Sequence, residues 1–134
     1  MDPAAVAVLT IGSDADYEPA GSLVEVGVTL FGLATTLDSY QFDVDFTPGV
    51  LSFSGADAGV VGNIDNVGGT VTGIARRNVG LNFGGTIVKL FFKASGPGTS
   101  SLSIPASSVS LLDSGGNKIP FTTKDGKVIV ADPL

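Results

Sequence analysis

The groups this chain could use for chemistry are few: 13 carboxylates, seven Lys and Arg, and neither His nor Cys. Without imidazole or thiol there is no Ser-His-Asp triad, no Cys-His pair and no ordinary zinc centre. The serines therefore lack a base. Two carboxylates flanking a glycosidic bond would suffice for a glycosidase. Yet the only Glu are Glu18 and Glu25, and no Trp is present to line a sugar groove. No enzymatic activity is expected. Oxygen ligands remain. Asp14, Asp16 and Glu18 alternate along the chain, a spacing that suits calcium. An EF-hand loop needs Gly at its sixth position, and counting from Asp14 that position is Pro19. Asp57, Asn63, Asp65 and Asn66 form a second oxygen-rich stretch. Both are read as acidic loops, and no metal or other cofactor is expected on this chain.

What is left is recognition chemistry. Gln41, Asp43 and Asp45 alternate with Tyr40, Phe42, Val44 and Phe46. Successive side chains of a strand point to opposite faces, so this segment has an aromatic-aliphatic face and a carboxylate-amide face. The first must be buried. The second is free to meet water or a partner. Arg76-Arg77 is the one adjacent basic pair, and an arginine on a binding face is a frequent anchor.

The elements that hold these residues are strands. Val24, Val26, Val28 and Leu30 share one face of a segment running from Ser22. Thr70 to Arg76 alternates, with Val71, Gly73 and Ala75 opposite Thr72, Ile74 and Arg76. Thr86 to Ala94 is nearly continuous in apolar residues, as in a strand covered on both sides. Turn signals at Pro48-Gly49, Gly84-Gly85, Ser95-Gly96-Pro97-Gly98, Asp113 to Asn117 and Asp125-Gly126 separate short runs. No segment carries a helical stripe. The expected fold is all-β: a single domain over residues 1–134, two sheets packed face to face. Its expected core is Val24, Val26, Val28, Phe42, Val44, Phe46, Leu51, Phe53, Ile74, Phe91 and Ile129.

Charge narrows the partner. The formal net charge is −6, with ten carboxylates and no Lys or Arg in residues 1–75, and seven Lys or Arg against three Asp in residues 76–134. An acidic total does not suit nucleic acid, which needs its phosphates neutralised. No apolar run reaches the ~20 residues of a membrane helix, so membrane insertion is not expected.

Several segments, in order, resemble a cohesin module of the kind found in cellulosomal scaffoldins. They are Glu18 to Val24, Tyr40 to Phe53, Thr86 to Ala94, Leu112 to Pro120 and Asp125 to Val130. The resemblance implies a nine-stranded β-sandwich with jelly-roll-like topology. It implies that one flat sheet face binds a dockerin, a small calcium-loaded helical module, with polysaccharide reached only through that partner. It implies a secreted or cell-surface location. By position it points to Ser39 and Gln41, with Asp43 in the same polar row; to Val71, Gly73 and Arg76 on the neighbouring strand; and to Asn117 in the late hairpin. The chain departs from the usual family pattern in having Ser39 and Gln41 in place of an Asn/Asp pair, and Arg76 in place of an acidic residue.

Two other readings fit a β-sandwich. A carbohydrate-binding module would need exposed planar rings, and the candidates are Tyr17 and Tyr40, of which Tyr40 faces inward by alternation. A structural spacer or adhesin module would need no site at all.

Overall fold

The computed structural model describes residues 7–12, 16–33, 35–56, 65–77, 79–82 and 84–131. Strand segments follow in chain order as β1 (Ala7–Ile11), β2 (Asp16–Pro19), β3 (Leu23–Phe31), β4 (Leu37–Asp45), β5 (Leu51–Ala56), β6 (Asp65–Val67), β7 (Thr70–Arg76), β8 (Gly84–Ala94), β9 (Gly98–Leu102), β10 (Ser110–Asp113), β11 (Phe121–Lys124) and β12 (Gly126–Ala131), with a 3-10 turn at Ala106–Ser108. They form a five-stranded sheet in the order β11-β1-β3-β8-β5, a four-stranded sheet β10-β4-β7-β6 and a three-stranded sheet β2-β12-β9. These segments outnumber the nine strands expected. The excess arises partly because both ends of the chain bend from one sheet into another. β1 pairs in parallel with β11, and β2 in parallel with β12.

Alternation explains the longest strands. In β3, Val24, Val26, Val28 and Leu30 are buried, while Leu23, Glu25 and Phe31 are exposed. In β4, Tyr40, Phe42 and Val44 are buried and Gln41 is exposed. These two inward faces, with Leu9, Ile11, Ile74, Leu90 and Phe92, belong to one hydrophobic cluster. Phe92 meets Phe46 and Phe53 edge-on, with ring centroids 5.2 and 5.5 Å apart. Tyr40 is buried without orphaning its hydroxyl, which donates to the Ile87 carbonyl at 3.1 Å.

Three core expectations need correction. β8 is not covered on both sides. Leu90 and Phe92 point inward, while Phe91 stands half-buried on the outer side with the exposed Lys89 and Lys93. The unbroken apolar look of this strand comes from Ile87 and Val88, both buried. A register shift there leaves Ile87 unmatched between the Val28–Val88 and Thr29–Thr86 pairs. In β12 it is Val128 and Val130 that are buried, which puts Ile129 on the opposite face, half-buried. Phe53 is also only half-buried, packed against the cluster rather than inside it.

Candidate functional site

β4 lies inside the four-stranded sheet, with β10 on one side and β7 on the other. Residues paired across an antiparallel ladder share a face, so register names the neighbours of each outward side chain. Gln41 lies between Ser110 and Ala75, and Ser39 lies beside Leu112. Gln41 and Ser110 are exposed; Ser39, Ala75 and Leu112 are half-buried. The result is a shallow surface with a polar middle, edged by two small apolar contributions.

Next along β4 the ladder bulges. Phe42 pairs with Ile74 and Val44 with Val71, leaving Thr72 and Gly73 opposite Asp43. Gly73 has φ +81°, a backbone conformation that side-chain-bearing residues rarely adopt. Its N–H points to Asp43 Oδ1 at 3.4 Å. On the other side, the Asp43 N–H donates to Ser108 Oγ at 3.0 Å, and that hydroxyl donates to the Pro105 carbonyl at 2.7 Å. The 3-10 turn thus serves the β4 backbone where β10 has not yet begun. Asp45, at the strand end, accepts from Thr70 Oγ1 at 2.8 Å.

The bulge redistributes the expected contact residues. Val71 is fully buried and faces the interior with Ile74, since the extra residue between them restores both to one face. It does not reach the open surface. Arg76 pairs with Tyr40, which places it on the core side of the sheet at its margin. Ala75, which alternation sets on the same face as Gly73, is the β7 residue that lies beside Gln41. Asn117 is exposed in the turn after β10, with its N–H bonded to Asp113 Oδ1 at 2.9 Å. The structure therefore brings together Ser39, Gln41, Asp43 and Gly73, and adds Ala75, Ser110 and Leu112. Those three carry no motif of their own. Their signal is strand adjacency, which a single sequence does not display.

Away from this face, a groove of about 250 Å³ is lined in part by Gly12, Asp16, Glu25, Gly27, Thr29 and Lys127. Burial, and then the adjoining Asp16 carboxylate, raise the Glu18 carboxyl above its ordinary value. Among the described residues no group of three or more acidic side chains could hold a metal ion. Asp14, Asp57 and Asn63, named above as candidate oxygen ligands, lie outside the described residues. Also among the described residues, no helix is long and apolar enough to cross a membrane.

The sheets thus give a β-sandwich in which the outward residues of β4 form a polar row. No family model matches the sequence, and no curated protein does. Solved structures do match. CaCohA2 of Clostridium acetobutylicum, in its complex with CaDoc0917(R16D), aligns with TM-score 0.81 and 16% identity over 94% of this chain and all of its own. The non-cellulosomal cohesin of the archaeon Archaeoglobus fulgidus aligns with TM-score 0.77 and 19% identity, covering 95% of this chain and 92% of its own. Coh-OlpC of Clostridium thermocellum, in a type I cohesin-dockerin complex with Doc435, aligns with TM-score 0.77 and 12% identity over 99% of both. The chain has the cohesin fold.

Proposed function

We propose that this chain is a non-catalytic module that binds a dockerin through the open face of the four-stranded sheet. The observation that carries this reading is the uncovered Ser39–Gln41–Asp43 row in a fold whose solved neighbours include cohesins in complex with dockerins. The contact surface is Ser39, Gln41, Asp43, Gly73, Ala75, Ser110 and Leu112, with Asn117 at its rim. Arg76 reaches it only from the sheet margin, and Val71 supports it from beneath. Gln41 offers both a donor and an acceptor to an incoming helix. Ala75 and Gly73 keep that neighbourhood low, so a helix backbone can approach closely. The calcium of this interaction belongs to the partner, and the setting is extracellular scaffold assembly.

Calorimetric titration against a panel of calcium-loaded dockerins tests the proposal, with soluble glucans run in parallel. One or more dockerins should bind, and chelating calcium should abolish the heat. Gln41→Ala should leave the melting midpoint unchanged and weaken binding about tenfold, the loss of one or two interfacial hydrogen bonds. Unchanged affinity removes Gln41 from the surface. Binding of glucans but of no dockerin favours the carbohydrate reading, whose structural support is Tyr17, 73% exposed on β2.

A further inference from the structure

The two ends of the open face on the four-stranded sheet differ in charge and in what already holds that charge. At one end Asp43 meets the Gly73 N–H, and Asp45 accepts from the Thr70 hydroxyl. The other end carries cations. Arg76 pairs with Tyr40 on the core side, so Arg77, the next residue, comes level with Ser39 and, by alternation from Ala75, on the open side. On the other flank of β4, Ser39 pairs with Leu112, and Leu112 bridges to Lys118. One row therefore runs Lys118, Leu112, Ser39, Arg77 across the sheet. Both cations are exposed, while Leu112 and Ser39 between them are half-buried.

Neither cation is neutralised. Lys89, on the five-stranded sheet, has Glu25 at 3.3 Å. Among the described residues the side chains of Arg77 and Lys118 make no ion pair or hydrogen bond. Two carboxylates stand close to the row without serving it. Asp38, at the register shift beside Ser39, forms no ion pair with either cation. Asp113 holds its own turn, accepting from the N–H groups of Gly115 and Asn117 at 2.9 Å each.

The spacing suits a helix. Neighbouring strands lie about 4.8 Å apart, so three steps set the backbones of Arg77 and Lys118 about 14 Å apart. An α-helix with its side chains is about 10–12 Å wide. Laid along β4, it fits between the two cations on a floor of Leu112, Ser39 and Ala75.

We propose that Arg77 and Lys118 select the partner, by clamping a helix that carries an Asp or Glu on each flank where it crosses Ser39. The inference rests on the docking reading above and names the chemistry that its partner must present. Asp43 lies four residues further along β4, about 13 Å away, which exceeds the screening length of about 10 Å in 0.1 M salt. It repels acidic groups at its own end, so the same charges also decide which way the helix points. The clamp sits at an exposed rim. It therefore acts on the rate of encounter and on the choice among dockerins more than on the total affinity.

Kinetic binding measurements against calcium-loaded dockerins, with and without acidic residues on the exposed helix faces, test the clamp. Dockerins with acidic flanks should bind more tightly than those without. Against such a binder in about 50 mM salt, Arg77→Glu and Lys118→Glu should each weaken binding about three- to tenfold, mainly by slowing association. The loss should nearly vanish in about 500 mM salt, and neither change should move the unfolding midpoint. Replacing one flanking acid of the dockerin by Lys should restore binding to one of the two variants. Lys127→Glu is the control, since it makes the same change in net charge on the three-stranded sheet and should be silent. Silent reversals at both positions overturn the proposal. So do reversals that strengthen binding, a loss that salt does not remove, or an equal loss at Lys127. If those results come with weakened binding by Gln41→Ala, the docking reading stands and only the clamp falls. Binding of no dockerin removes both.

Discussion

Phe42→Ala should destabilise the chain by roughly 3–5 kcal/mol, the cost of a large aromatic truncation that leaves a cavity. Phe42 is fully buried in β4. It pairs with the buried Ile74, and its ring lies 5.6 Å from that of Tyr40. The alanine would leave space that two ladders, one to β10 and one to β7, hold open. Urea unfolding with an unchanged m-value reads the loss directly. At roughly 2–8 °C per kcal/mol for domains of this general size, the melting midpoint should fall by about 10 °C or more. The same truncation at Phe91 is the control. That ring is half-buried on the outer side of β8, so Phe91→Ala should cost only about 1 kcal/mol. Equal losses at the two positions would mean that the face assignment of β4 or of β8 is wrong.

That pair of phenylalanines also shows what a single sequence discloses. Where polar and apolar residues alternate cleanly, as from Val24 to Leu30 and from Tyr40 to Val44, period two assigns faces without further help. The turn signals likewise mark where most strands stop. Alternation fails where one residue too many enters a ladder. Ile87 in β8 and the Thr72–Gly73 pair in β7 each shift the period by one, and every side chain beyond the shift changes face. A bulge exists only relative to the strand opposite, and the strand opposite is distant in sequence. The same limit hides Ala75, Ser110 and Leu112. They flank Ser39 and Gln41 because β7 and β10 flank β4, a matter of topology rather than of residue type. The bends that pass both chain ends between sheets are invisible for a related reason: Gly12 and Gly126 look like any turn glycine until the parallel pairing of β1 with β11 and of β2 with β12 is known.

The bulge at Gly73 joins fold to site closely enough to be tested by one substitution. Gly73→Val should cost about 3 kcal/mol, the upper end of the range for holding a residue in a left-handed conformation, because a β-branched side chain tolerates φ +81° least. The chain has two ways to respond. It can keep the bulge and carry the strain, or it can drop the bulge and slip the rest of β7 by one residue. Slippage would turn Ile74 outward and Ala75 into the core, and Gln41 would lose its low neighbour. Either route moves the amide that points to Asp43 Oδ1. Dockerin binding should therefore fall by more than the about tenfold expected for Gln41→Ala, although position 73 offers no side-chain group to lose. Gly27→Ala is the matched control. On β3 an added Cβ meets nothing within 4 Å, so this change should be neutral in stability to within about 1 kcal/mol and silent in dockerin binding. A Gly73→Val variant with the parent's unfolding midpoint would show that the left-handed turn is not needed. A strained but folded variant with full affinity would separate the bulge from the docking surface.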